Sequence, residues 1–134
     1  MNDYKFELEE TWTLARELAW EIYSITNRES FREDRHLRDN IRRAAFTIMA
    51  GVAEGVERGG TMEFLHHLAE AKEEVDELHG QLQQVQGRGF INSATLMQLE
   101  MTLESLGCMI SGLMTSINRQ FIDFDSVSVS YQSI

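Results

Sequence analysis

The chain has 134 residues, the length of one domain and enough to bury a core without disulfide or metal staples. Its 22 acidic and 12 basic residues give a formal charge of −10, which argues against wholesale coating of nucleic acid, since phosphate binding is driven by excess Lys and Arg. Hydrophobic residues at 43% argue against disorder, and proline is absent where about 5% is usual, which favours helix. The lone Cys108 leaves no partner for an internal disulfide and suits a reducing cytosol. Met1-Asn2-Asp3-Tyr4-Lys5 lacks the basic-then-apolar pattern of an export signal, so a cytoplasmic location is expected. Ser105 to Asn118 carries no charge but is too short to span a bilayer, so it reads as a buried core segment and no membrane partner is expected.

Four segments repeat their apolar residues at helical spacing. In the first, about Lys5 to Asn27, Leu8, Trp12, Ala15, Ala19, Ile22 and Thr26 step by four and three, with Leu14, Leu18 and Ile25 as an adjacent stripe. In the second, about Phe31 to Glu57, the inward stripe is Leu37, Ile41, Ala44, Ile48 and Val52. Phe46, Met49, Ala50 and Ala53 lie on other faces, so its second half is apolar nearly all round and needs cover on more than one side. Gly51 and Gly55 would let another backbone come close, and Arg58-Gly59-Gly60 is a stop signal.

The third segment starts at Thr61, a helix cap, with Glu63 in its first turn. Phe64, Leu68, Ala71, Val75, Leu78, Leu82 and Val85 then alternate four and three until Gly87-Arg88-Gly89. The fourth starts near Asn92 or Ser93 and carries Leu96, Leu99, Leu103, Leu106, Ile110, Leu113 and Ile117, with Met97, Met101, Met109 and Met114 at neighbouring positions. Short connections make sequential helices antiparallel. The expected fold is all-α, an up-down-up-down antiparallel four-helix bundle over residues 1–122, with the left-handed twist that 3.5-residue spacing imposes. Residues 123–134 alternate Phe124, Val127, Val129 and Tyr131 with serines and are expected to form a short irregular tail or an edge strand.

The runs Arg42-Arg43-Ala44-Ala45, Val52-Ala53-Glu54-Gly55, Arg58-Gly59-Gly60-Thr61-Met62-Glu63-Phe64, Leu68-Ala69, Glu77-Leu78 and Gly89-Phe90-Ile91 occur in this order. Together they resemble the bacterial 23S rRNA-intervening sequence protein family, over roughly Phe6 to Ile117. The resemblance implies a four-helix bundle that assembles into a ring, commonly a homopentamer, and it marks Glu54, Gly55, Arg58, Glu63 and Phe64 as structural motif positions. The chain is also distantly similar to the accessory proteins of diversity-generating retroelements, which implies a reverse transcriptase and nucleic acid as partners. It departs from the family pattern at Gly51, where Asn is usual, and at Arg32, where Pro often follows Phe; the retroelement proteins tend to be basic and this chain is acidic.

Positive charge is concentrated in the second segment, which holds seven of the twelve basic residues between positions 28 and 60. Arg28, Arg32, Arg35 and Arg42 would share one face if the helix ran through Phe31, with Arg43 beside them. Such a stripe suits phosphate contact, or equally a solvated face or a salt-bridge belt against the acidic run Glu70 to Glu77 of another subunit. Glu54 and Arg58 form a favourable i,i+4 pair rather than a catalytic set. Glu63-x-x-His66, Asp76-x-x-His79 and the trio His66, His67 and Glu70 have metal-ligand spacing but lie on one helix, so solvated polar residues are the plainer reading and no cofactor is expected. Cys108, among apolar neighbours, reads as a small core residue. The sequence thus points to a non-enzymatic scaffold that self-associates through Phe46, Met49, Ala50 and Ala53. An RNA- or DNA-binding accessory protein using the arginine face is the alternative, and a metal-dependent enzyme a third class.

Overall fold

The computed structural model describes residues 4–59 and 61–132, with side chains through Arg119. Among these residues the chain forms four α-helices: α1 (Lys5–Thr26), α2 (Arg35–Arg58), α3 (Met62–Gly87) and α4 (Ser93–Gln132). Each packs on its neighbours in the chain, and α4 closes back on α1. The expected all-α four-helix bundle is the observed fold.

The helical stripes become the core. All seven apolar positions read on α3 are buried, and on α4 six of the seven are buried while Leu96 is half-buried. Each large side chain buried this way stabilises the fold by roughly 1.5–3 kcal/mol. On α1 the buried set is Leu8, Thr11, Ala15, Leu18, Ala19, Ile22, Ile25 and Thr26; Trp12 and Leu14 are only partly covered. Thr11 and Thr26 enter the core without an unpaired hydroxyl, because each donates to the carbonyl four residues earlier, Glu7 and Ile22, at 2.7 Å.

Two boundaries and two burial assignments depart from the sequence reading. The second helix begins at Arg35, not Phe31. Residues Glu29–Glu33 form a separate 3-10 turn. Phe31 is pulled to full burial by an edge-to-face contact with Phe90 (5.2 Å, 70°), and Asp34 then caps α2 by accepting from the Leu37 N–H at 3.0 Å. The expected irregular tail or strand from residue 123 is instead continuous with α4 as far as Gln132; no Gly or Pro follows Gly112 to stop the helix. Cys108 is exposed rather than in the core, because it lies two residues from both Leu106 and Ile110 and so points away from the inward stripe. The charge-free Ser105 to Asn118 stretch is correspondingly amphipathic rather than wholly buried.

The caps read at Thr61 and Asn92 form. Thr61 Oγ1 accepts from the Phe64 N–H at 3.0 Å and Asn92 Oδ1 from the Thr95 N–H at 2.8 Å. The α2–α3 hairpin closes around two glycines. A Cβ at Gly55 would lie 2.2 Å from the Phe64 ring, and one at Gly51 would lie 2.9 Å from the His67 carbonyl oxygen. The helices therefore approach as closely as they do only because these positions lack side chains.

Gly55→Ala is expected to destabilise the protein by about 1–3 kcal/mol, since the clash with buried Phe64 outweighs about 1 kcal/mol of gained helix propensity. Gly80→Ala, where an added Cβ meets nothing within 4 Å, should stabilise by about 0.5–1 kcal/mol. Thermal and urea unfolding of the two variants measure the contrast; equal effects would show that the hairpin is not closed by this contact.

Candidate functional surfaces

The candidate arginines do not form one helical stripe. Arg28 and Arg32 belong to the connection and the 3-10 turn ahead of α2, so the break at Asp34 separates them from Arg35, Arg42 and Arg43. Arg42 is committed to the fold. Its Nε donates to Thr26 Oγ1 at 2.8 Å and its Nη2 to Asn27 Oδ1 at 2.9 Å, and its guanidinium sits 4.8 Å from the centre of the Tyr23 ring. It thus clasps the end of α1 with a planar fork and a stacked face. Arg43 donates to Asn40 Oδ1 at 2.7 Å and lies close enough to Glu74 to favour its ionised form. Arg28, Arg32 and Arg35 are exposed, and among the described residues none makes a hydrogen bond or ion pair.

All three lie between the end of α1 and the first turn of α2, at the end of the bundle where α1 and α3 finish and α2 and α4 begin. That end is locked by a set that periodicity does not reveal. Asp34, besides capping α2, accepts from Arg88 at 2.9 Å; Arg88 stacks 4.6 Å over Phe90; and Ser30 donates to the Phe90 carbonyl at 3.4 Å. The Arg88 guanidinium and the Leu37 N–H together hold the Asp34 carboxyl below its ordinary range. The only sequence signal of this lock was the Gly89-Phe90-Ile91 run, in which Phe90 and Ile91 prove to be buried.

At the opposite end the motif residues converge on the hairpin. Arg58 Nε meets Glu54 at 2.8 Å and its Nη1 meets Glu63 at 2.6 Å, while Phe64 fills the space beside Gly55. Glu54, Gly55, Arg58, Glu63 and Phe64 thus form one structural unit. The two carboxylates favour the charged guanidinium, and their pairing with it gives them a structural use.

The apolar excess of α2 is divided between two environments. Phe46 is 55% exposed, and Ala50 and Ala53 are half-buried, whereas Met49 packs against the core. Phe46 and Ala50 line a shallow cavity of about 190 Å³ between α2 and α3 with Thr47, Gly51, Glu54 and Glu70. Trp20 on α1, at 77% the most exposed large apolar residue among those described, was not singled out by spacing, because Trp at the edge of a stripe reads as widened core. Glu74 on the acidic run has its pKa raised by burial and by Glu77 and Glu70, with Arg43 opposing.

His66 and His67 lie with ring centres 6.3 Å apart. Among the described residues no group of three or more His, Cys, Asp or Glu side chains is placed to hold a metal ion, and no helix is long and apolar enough to cross a membrane. Between α3 and α4 runs a larger groove of about 810 Å³, crossed at one end by His79 Nε2 and Glu100 Oε2 at 2.6 Å.

Comparison with known proteins agrees with this architecture. The sequence profile of a family described as 23S rRNA-intervening sequence protein matches residues 7–112. Among curated proteins none matches significantly.

With its pKa depressed in the folded state, Asp34 contributes stability that is present above the unfolded value of about 3.9 and is lost as pH falls through the folded value. Asp34→Ala should therefore lower Tm at pH 7, and the gap to the parent should close as pH falls below the ordinary carboxylate range. A gap in Tm independent of pH across that range would show that the ionised Asp34–Arg88 pair contributes nothing.

Proposed function

The chain belongs to the 23S rRNA-intervening sequence protein family, and from that premise we propose that it is a non-enzymatic scaffold or adaptor of the cytoplasm that works as a homo-oligomer, by resemblance a pentameric ring. The observation that carries the reading is the outer edge of α2. Phe46 is more than half exposed on a helix whose inward face is already filled, with Ala50 and Ala53 beside it on the same side. An apolar ridge of this kind is covered when copies associate. A ring needs a heterologous contact, in which this ridge meets a different surface of the next copy. The family motif residues fit the same reading, since all five stabilise the hairpin that carries the ridge.

Sedimentation velocity at micromolar concentration should give a species near five times the 15.4 kDa chain mass. Phe46→Glu with Ala50→Glu should reduce it to the monomer without changing the far-ultraviolet circular dichroism. A parent protein that sediments as a monomer would overturn the proposal.

A second reading, contact with ribosomal RNA or with nucleic acid held by a reverse transcriptase, draws support from Arg28, Arg32 and Arg35. They are exposed and unpaired among the described residues, in the connection and first turn that lead into α2. Replacing all three by Ala should weaken binding to structured RNA and reduce the salt slope of log K by about 2–3, whereas Arg42→Ala should lower Tm and leave binding intact. Absence of RNA binding at low salt would dismiss this reading.

A further inference from the structure

The groove between α3 and α4 has the chemistry of a peptide-docking site. Val75 and Leu103 form its apolar floor, and Gly107 keeps it open: a Cβ there would meet only Val75, at 3.9 Å. Asp76, Glu100 and Glu104 stand on its walls against Lys72 and His79, whose Nε2 lies 2.6 Å from Glu100. Met97 and Met101 are 62% and 66% exposed, and they continue along α4 in the same four-three stepping that leads through Glu104 to Cys108. From Glu100 to Ser111, the stretch of α4 that lines the groove, the helix rises about 16 Å, room for some three turns of a second helix.

We propose that this groove docks an amphipathic helix with Lys or Arg flanks, supplied by a partner protein; the proposal rests on the adaptor reading above and names its partner's chemistry. Such a floor takes side chains at i, i+4 and i+7 of a docked helix. The carboxylates along the rim select cationic flanks and repel phosphate, so nucleic acid does not fit here. Exposed methionines adapt to differently shaped apolar anchors, which suits an adaptor surface. The net charge of −10 attracts such a partner from a distance.

Cys108, the sole cysteine, lines the groove and reports its occupancy. The test uses the full chain and a synthetic Leu–Lys peptide of about 14 residues whose leucines share one helical face, with a scrambled peptide of the same composition as the control. Saturating amphipathic peptide should slow reaction of Cys108 with a thiol reagent about fivefold or more, and the scrambled peptide should not. Gly107→Leu, which fills the groove, and Glu100→Lys with Glu104→Lys, which reverse its rim, should each weaken binding about tenfold while circular dichroism stays native. Binding that leaves the Cys108 rate unchanged, equal binding of the scrambled peptide, or indifference to both variants would overturn the proposal. So would a Cys108 already protected in the free protein and released by Gly107→Leu together with a fall in sedimenting mass, which would assign the groove to a second copy. Because assembly through the α2 ridge is read separately by sedimentation, loss of peptide binding and loss of assembly are distinguishable.

Discussion

The contact between Gly55 and the Phe64 ring is the constraint on which the rest of the arrangement depends. With a side chain at either Gly51 or Gly55, α2 and α3 could not close to their observed separation. That closeness buries Phe64 completely, sets Arg58 between Glu54 and Glu63, and turns Phe46 and Ala50 outward along the hairpin's edge. Residues that appear as scattered motif letters in one dimension are therefore a single packing solution in three.

The two ends of the bundle are secured by different chemistry. The hairpin end relies on steric fit and one arginine held between two carboxylates. The other end relies on aromatic and charged stacking, in which Phe31, Phe90, Arg88 and Asp34 tie the first connection to the third. Both leave surface free for partners: an apolar ridge on α2, three unengaged arginines at one end, and an acid-rimmed groove between α3 and α4. These surfaces differ in sign and polarity.

Much of this was legible in the sequence because helical burial is periodic. The stripes on α3 and α4, the caps at Thr61 and Asn92 and the hairpin motif follow from spacing and residue type alone. The candidate surface was less legible. The apparent arginine stripe assumed an unbroken helix through Phe31, yet a capping carboxylate at Asp34 starts α2 four residues later. Arg42 looked like its neighbours until Thr26, Asn27 and Tyr23, all on the preceding helix and its end, were found around it. Cys108 was read by composition of its surroundings instead of by its angle on the helix.

The sequence by itself determined the helices, their order, the inward faces and the membership in a family of such bundles, because each of these depends on local spacing and on residues near one another in the chain. Only the tertiary structure decided which arginines are spent on the fold and which have no partner among the described residues, where the first connection meets the third, and that small residues leave a groove between α3 and α4. Those features are set by pairs of residues up to 60 positions apart, such as Ser30 and Phe90. Pattern within a segment cannot reveal a partner that arrives from another helix.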